Sequence, residues 1–119
     1  MKFLILESGY SNGGDYLIIS RAKQAIESYY PDALVKIKNA ADPNLSVEEL
    51  NKYDAVITGG GGAQLSSEYI KKHFVFNNVR DIRVPIHYMG TGFYGVTGNS
   101  SELYKLKYDQ DVIDFFTIL

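Results

Sequence analysis

The chain has no cysteine and no tryptophan, and only three prolines in 119 residues. Without cysteine there are no disulfides, no zinc-thiolate sites and no thiol nucleophiles, and the chain needs no oxidising compartment. A charge excess is also missing. Twelve basic and fourteen acidic residues leave a net charge of −2, whereas a general nucleic-acid binder normally carries a basic surplus. Unbroken apolar runs reach no more than about five residues, too short to span a bilayer. The N-terminus has one lysine and a short apolar run but no small-residue cleavage site, so it does not read as a signal peptide. These absences point to a cytoplasmic protein without a membrane span. The length suits one domain with its own hydrophobic core. No internal repeat, low-complexity linker or second domain interrupts residues 1–119. Eleven glycines, ten tyrosines and six phenylalanines are the conspicuous surpluses.

The glycines are grouped, and the grouping follows the secondary-structure pattern. Phe3-Leu4-Ile5-Leu6 reads as a strand buried on both faces. It runs into Ser8–Gly14, which carries three glycines. A helix is expected from Asp15 to Tyr29, with Ile18, Ala22, Ala25, Ile26 and Tyr29 on one face, closed by Pro31. Ala33–Ile37 reads as a second strand. Ser46-Val47-Glu48-Glu49 matches a capping box and predicts a short helix over Val47–Asn51. Tyr53–Thr58 is the third strand and meets four consecutive glycines, Gly59, Gly60, Gly61 and Gly62. A helix is expected over Gln64–Lys72, while Phe74–Arg83 has no clear pattern. Val84–Met89 is the fourth strand and enters another glycine-rich loop, Gly90–Gly98. Ser100 or Ser101 is placed to cap a helix over Glu102–Lys107. The apolar tail Val112–Leu119 reads as the start of a fifth strand.

Strands that alternate with helices, and that are themselves continuous apolar runs, predict a mostly parallel sheet of about five strands with helices on both faces. In such sheets ligands bind beyond the carboxyl ends of the strands. Strands one, three and four all end in glycine loops, so the three loops should share one edge. Helix N-termini there offer free N–H groups suited to a phosphate or carboxylate, and glycine lets a ligand approach the backbone closely. Gly59–Gly62 either only make a tight strand-to-helix turn or let a ligand or a neighbouring chain segment approach the backbone.

Single residues are more ambiguous. Asp15 either caps its helix or faces the crevice, where it orients or deprotonates a sugar hydroxyl. Asn12 either forms the turn or touches a ligand. Tyr10, Phe93 and Tyr94 lie in the loops and are placed to stack on a sugar or a base. His87, inside a strand, is expected in the core, and His73 near a helix C-terminus. Two isolated histidines make no metal site. Gly90-Thr91-Gly92-Phe93-Tyr94-Gly95 spells G-x-G-x-x-G, but it follows the fourth strand and opens no helix, so it is a poor dinucleotide fingerprint. No Walker P-loop and no G-x-S-x-G serine elbow occur.

Three segments in order, Ser11–Ile18, Tyr53–Gly62 and Val84–Gly92, together resemble the N-terminal half of the polysaccharide pyruvyl transferase family. Asn12-Gly13-Gly14-Asp15 is similar to the family's Asn-x-Gly-Asp stretch opening its first helix. The other two segments resemble its strands that lead into glycine turns. The resemblance implies a three-layer Rossmann-like fold, one half of a glycosyltransferase-B-type enzyme. It implies transfer of the carboxyvinyl unit of phosphoenolpyruvate to a sugar of a surface polysaccharide, with no cofactor. Asp15 becomes the candidate catalytic residue. Asn12, Gly13, Gly14, Gly59–Gly62, Gly90, Thr91 and Gly92 become candidate substrate contacts. The family's second half, which supplies the basic and histidine residues for phosphoenolpyruvate, has no counterpart in these 119 residues. Phosphoenolpyruvate calls for Arg or Lys clamps, and the glycine loops contain neither. Arg80 and Arg83 precede the fourth strand and should sit at the opposite edge. The chain alone is therefore expected to be inactive. Two alternatives stand beside this reading. One is a small flavodoxin-like module binding a nucleotide or sugar phosphate without catalysis. The other is an assembly role, a homo-oligomer in which the tail pairs as an edge strand.

Overall fold

A computed structural model describes residues 1–7, 13–59, 71, 74–89 and 108–118. Four strands form one parallel sheet: β1 (Lys2–Glu7), β2 (Leu34–Asn39), β3 (Ala55–Gly59) and β4 (Ile86–Met89), in the order β2-β1-β3-β4. The described helices are α1 (Gly13–Tyr29), α2 (Val47–Leu50), α3 (Phe74–Asn78) and α4 (Gln110–Ile118). The protein is thus α/β with an all-parallel sheet, a Rossmann-like layout. No helix among the described residues is long and apolar enough to cross a membrane.

The apolar run of β1 explains its central position. Alternate side chains point to opposite faces, and both faces are covered. Phe3 and Ile5 pack with Ile57 of β3 beneath Ile19 and Ala22 of α1. Leu4 and Leu6 lie on the other side, in a larger core with Leu45, Leu50, Tyr53, Val56, Val75, Ile86 and Val112. The chain leaves β1 toward β2 over one face and returns past β1 to β3 over the other. Crossovers in opposite directions on opposite faces share one hand, as parallel sheets demand.

Local chemistry fixes the elements. Ser46 caps α2, its Oγ accepting from the Glu49 N–H at 3.1 Å, as the capping box predicts. Tyr30 and Pro31 end α1 in a turn that the Ala33 N–H closes onto the Tyr30 carbonyl at 2.9 Å. Asp54 doubly ties β3 to β1. Its Oδ2 accepts from the Lys2 N–H at 2.6 Å, and its own N–H donates to the Lys2 carbonyl at 2.8 Å.

Three expectations need correction. The tail is a helix and not a fifth strand, so the sheet has four strands among the described residues. Val112 is fully buried in the larger core of its own chain, and the proposed edge-strand pairing of this tail with another copy loses its basis. The buried stripe of α1 runs Asp15, Ile19, Ala22, with Ile26 partly buried, while Ala25 and Tyr29 are exposed, the latter at 84%. His87 is exposed rather than in the core. It alternates with inward-facing Ile86 on β4, at the end of the described sheet and beyond the reach of α1. Phe74–Asn78, without a pattern in the sequence, is helical through Val75, which is fully buried.

Candidate functional site

The strand order defines a switch point. From β1 the chain moves outward to β2 and then returns to the opposite side for β3, so the crevice of a doubly wound sheet falls between the carboxyl ends of β1 and β3. The last row of the sheet there reads Asn39, Glu7, Gly59, Met89 from β2 to β4. Gly59 at the end of β3 and Gly13 and Gly14 at the start of α1 lie along this edge, in the places the strand pattern predicts.

Gly59 ends β3 and is buried. A Cβ built on it would meet the Met89 carbonyl oxygen at 2.6 Å and Ile18 Cγ2 at 3.7 Å. The group that needs glycine here is therefore the neighbouring strand. The same contact shows that the first turns of α1 lie over the β1–β3 junction. Gly13 and Gly14 begin α1 and are exposed, and a Cβ at Gly13 would meet nothing within 4 Å. The N–H groups of a first helical turn lack helical partners, so this end of α1 brings partial positive charge to the crevice.

Asp15 follows at the N-terminal end of the sheet-facing stripe and is 8% exposed. A carboxylate in an otherwise apolar stripe is the local anomaly of α1. Glu7, the last residue of β1, is not among the candidates read from the sequence. It is 5% exposed, and its Oε2 is enclosed with no hydrogen-bond partner. Strand alternation puts it on the face of Phe3 and Ile5, the face that α1 covers. Two carboxylates thus share one face of one sheet edge. An unsatisfied buried polar atom costs on the order of 1–3 kcal/mol, more when charged. The signal was present in the sequence, as an acidic residue ending the run Phe3-Leu4-Ile5-Leu6 at a strand carboxyl end.

Among the described residues, Lys38, Arg80 and Arg83 lie off this face of the edge. Lys38, near the end of β2, lies in the row of Leu6 and bonds Glu49 Oε1 at 3.1 Å. Glu49 also accepts from the Tyr53 hydroxyl at 3.3 Å. The bond to Glu49 holds the Lys38 ammonium above its ordinary pKa and, reciprocally, holds Glu49 below its own. Arg80 and Arg83 line an open cleft of about 560 Å³ with Val47 and Lys52. That cleft sits where the chain enters β3 and β4, the opposite edge, as expected. Asn51 shapes its floor, accepting from the Arg83 N–H at 2.8 Å and donating to the Asp81 carbonyl at 3.2 Å.

Asn12, Gly60, Gly61, Gly62, Gly90, Thr91 and Gly92 lie outside the described residues, as do Tyr10, His73, Phe93, Tyr94 and the helices expected over 64–72 and 102–107. Among the described residues no group of three or more His, Asp or Glu could hold a metal ion. Comparison with family models, curated proteins and solved structures finds no match to this chain.

Proposed function

We propose that this chain is the acceptor-binding half of a transferase of the polysaccharide pyruvyl transferase kind, seating a sugar at the carboxyl edge of its sheet. The observation that carries the reading is the placement of buried Asp15 beside the β1–β3 switch point, under a helix start made of Gly13 and Gly14. Carboxylates beside the positive end of a helix suit neutral hydroxyls, which both donate and accept. The three family-like segments supply the narrower identity. The reaction would add two sugar hydroxyl oxygens to the enol carbon of phosphoenolpyruvate. The methylene would gain a proton and inorganic phosphate would leave, with Asp15 orienting or deprotonating one hydroxyl. Among the described residues Lys38 is engaged on the far face and Arg80 and Arg83 sit at the far edge, and the reading leaves phosphoenolpyruvate to the second half that the resemblance implies. A cysteine-free chain with this substrate fits a cytoplasmic location.

Calorimetry on the 119-residue chain tests the reading. Neutral glycosides should bind and phosphoenolpyruvate should not, and no ketal should form. Ketal formation by the chain alone, or phosphoenolpyruvate binding without glycoside binding, would overturn it. A second reading has its own observation. The order β2-β1-β3-β4 equals the first four strands of the flavodoxin-like order, which supports a self-sufficient nucleotide or sugar-phosphate module. Such a module should be stabilised by its ligand through binding linkage. A thermal shift with nucleotides but not with neutral glycosides would favour it.

A further inference from the structure

We propose that Glu7 is a ligand-binding carboxylate that accepts hydrogen bonds from the hydroxyl groups of a neutral sugar lying over the β1–β3 switch point. The proposal deepens, and rests on, the sugar-acceptor reading of this edge.

Position comes first. Glu7 is the last residue of the central strand β1, in register with Gly59 of β3 and Asn39 of β2. It therefore stands at the switch point itself, where doubly wound sheets bind ligands. Its main chain is satisfied, the carbonyl accepting from the Ala40 N–H at 2.7 Å. Its side chain is not, for Oε2 is enclosed and unpartnered in a residue 5% exposed. An ordinary surface glutamate would turn such an oxygen to solvent.

The surroundings say what kind of group is missing. Among the described residues on this face, Phe3, Ile5, Ile57 and Ile19 offer no donor. Asn39, beside it on β2, uses its Oδ1 to accept from the Ala41 N–H at 2.7 Å. Lys38 projects with Leu6 to the opposite face and is held by Glu49. Asp15, on the same face, is a second carboxylate and not a donor. The complement of this environment must donate hydrogen bonds and carry no negative charge, because two like-charged carboxylates repel a phosphate. The N-terminus of α1 narrows it further. Its positive end disfavours a bound cation. A hydroxyl meets both demands, donating to Glu7 while carrying no positive charge. A neutral polyhydroxyl ligand is the chemistry that fits.

The test is an NMR titration of the ¹⁵N-labelled chain with methyl glucoside, methyl galactoside and methyl mannoside, on wild type, Glu7→Gln and the remote control Glu27→Gln. At least one glycoside should shift the amides of residues 5–7, 13–15 and 57–59. Glu7→Gln should weaken that binding by at least about tenfold, the size of one charge-assisted hydrogen bond, and Glu27→Gln should leave it unchanged. Glu7→Gln should also melt no lower than wild type, since it replaces an enclosed, unpartnered acid by an amide of the same shape. A lower melting point would mean that Glu7 has a structural partner, and would overturn the proposal. Shifts at 13–15 and 57–59 that survive Glu7→Gln undiminished would remove Glu7 and leave the sugar-acceptor reading standing. No shift with any glycoside would remove both. A Glu7-dependent response to magnesium or calcium chloride, reversed by chelator, would make a cation the occupant and refute the hydroxyl assignment.

Discussion

Replacing Gly59 by alanine tests the geometry on which the site depends. The new methyl would lie 2.6 Å from the Met89 carbonyl oxygen, about 0.8 Å inside ordinary van der Waals contact. The obstacle is backbone in the adjacent strand, so no rotamer change can relieve it. Either β4 moves away from β3 at the row Gly59–Met89, weakening the ladder, or β3 shifts into Ile18, which is only 3.7 Å from the same methyl. Overpacking of this kind costs about 1–3 kcal/mol, while the loss of glycine's unfolded-state freedom returns about 0.4–1 kcal/mol. The expected net destabilisation is about 1–2 kcal/mol. With an unfolding entropy of roughly 2.1 cal/mol/K per residue over a domain of this length, that is a fall of about 4–8 °C in Tm. Gly13→Ala is the matched comparison. Its methyl meets open space in a helical position where alanine is favoured by up to about 1 kcal/mol, so its Tm should hold or rise. Circular dichroism melts of both variants beside wild type decide the matter. A Gly59→Ala protein as stable as wild type would refute the close approach of β3 to β4, and with it the placement of Gly59 as a strand-packing residue.

Three further outcomes are expected. Glu49 titrates below its ordinary value because Lys38 donates to it, so its contribution to stability is present above the unfolded carboxyl pKa and is lost as pH falls through the lowered folded value. Lys38, raised by the same bond, contributes below its unfolded pKa and loses that contribution as pH rises through the raised one. Urea midpoints against pH should show both slopes in wild type and shallower ones in Glu49→Gln. Tyr88 is pushed up to about 12 by burial, so stability should fall between the ordinary phenol pKa and that value. Ultraviolet titration should show a late tyrosine that disappears in Tyr88→Phe. Val112→Ala should cost about 1.5–3 kcal/mol through the lost methyls and the cavity, read as a lower urea midpoint at constant slope. An unchanged midpoint would contradict the docking of α4 in the core.

Much of this architecture could be read from residue order. The strand β1 announced itself as Phe3-Leu4-Ile5-Leu6, the cap of α2 as Ser46 three residues before Glu49, and the end of β3 as the first glycine of a run. Failures arose where a local pattern and its tertiary setting disagree. The tail Phe115-Phe116-Thr117-Ile118-Leu119 has strand-like residues, but Asp109, Gln110 and Asp111 before it form a helix start, with the Val112 N–H bonded to the Asp109 carbonyl at 3.0 Å. Aromatic and β-branched propensity is weak beside packing, and Val112 packs. His87 has strand periodicity yet lies exposed, because periodicity tells which face a residue takes and not whether a helix covers that face. Counting only apolar residues on α1 hid the fact that Asp15 belongs to the buried stripe. Expecting acids on surfaces hid Glu7 for the same reason.

The two faces of the sheet are unequally insulated, and this gives the site a firm floor under a softer roof. Below the crevice, β1 is locked between β2 and β3 and backed by the larger of the two cores. Above it, among the described residues, α1 holds on through Ile19 and Ala22 with partial help from Ile26, while Tyr16 and Leu17 stand out from it, 57% and 60% exposed. Elements with few buried apolar contacts open at lower free energy than the core they cover. Hydrogen exchange should therefore proceed faster along α1 than along β1. Excursions of the helix away from the sheet would uncover Glu7 and Asp15 together. A ligand that bridges helix and strand end would close those excursions, so its arrival would be recorded as slowed exchange in α1 with little change in β1.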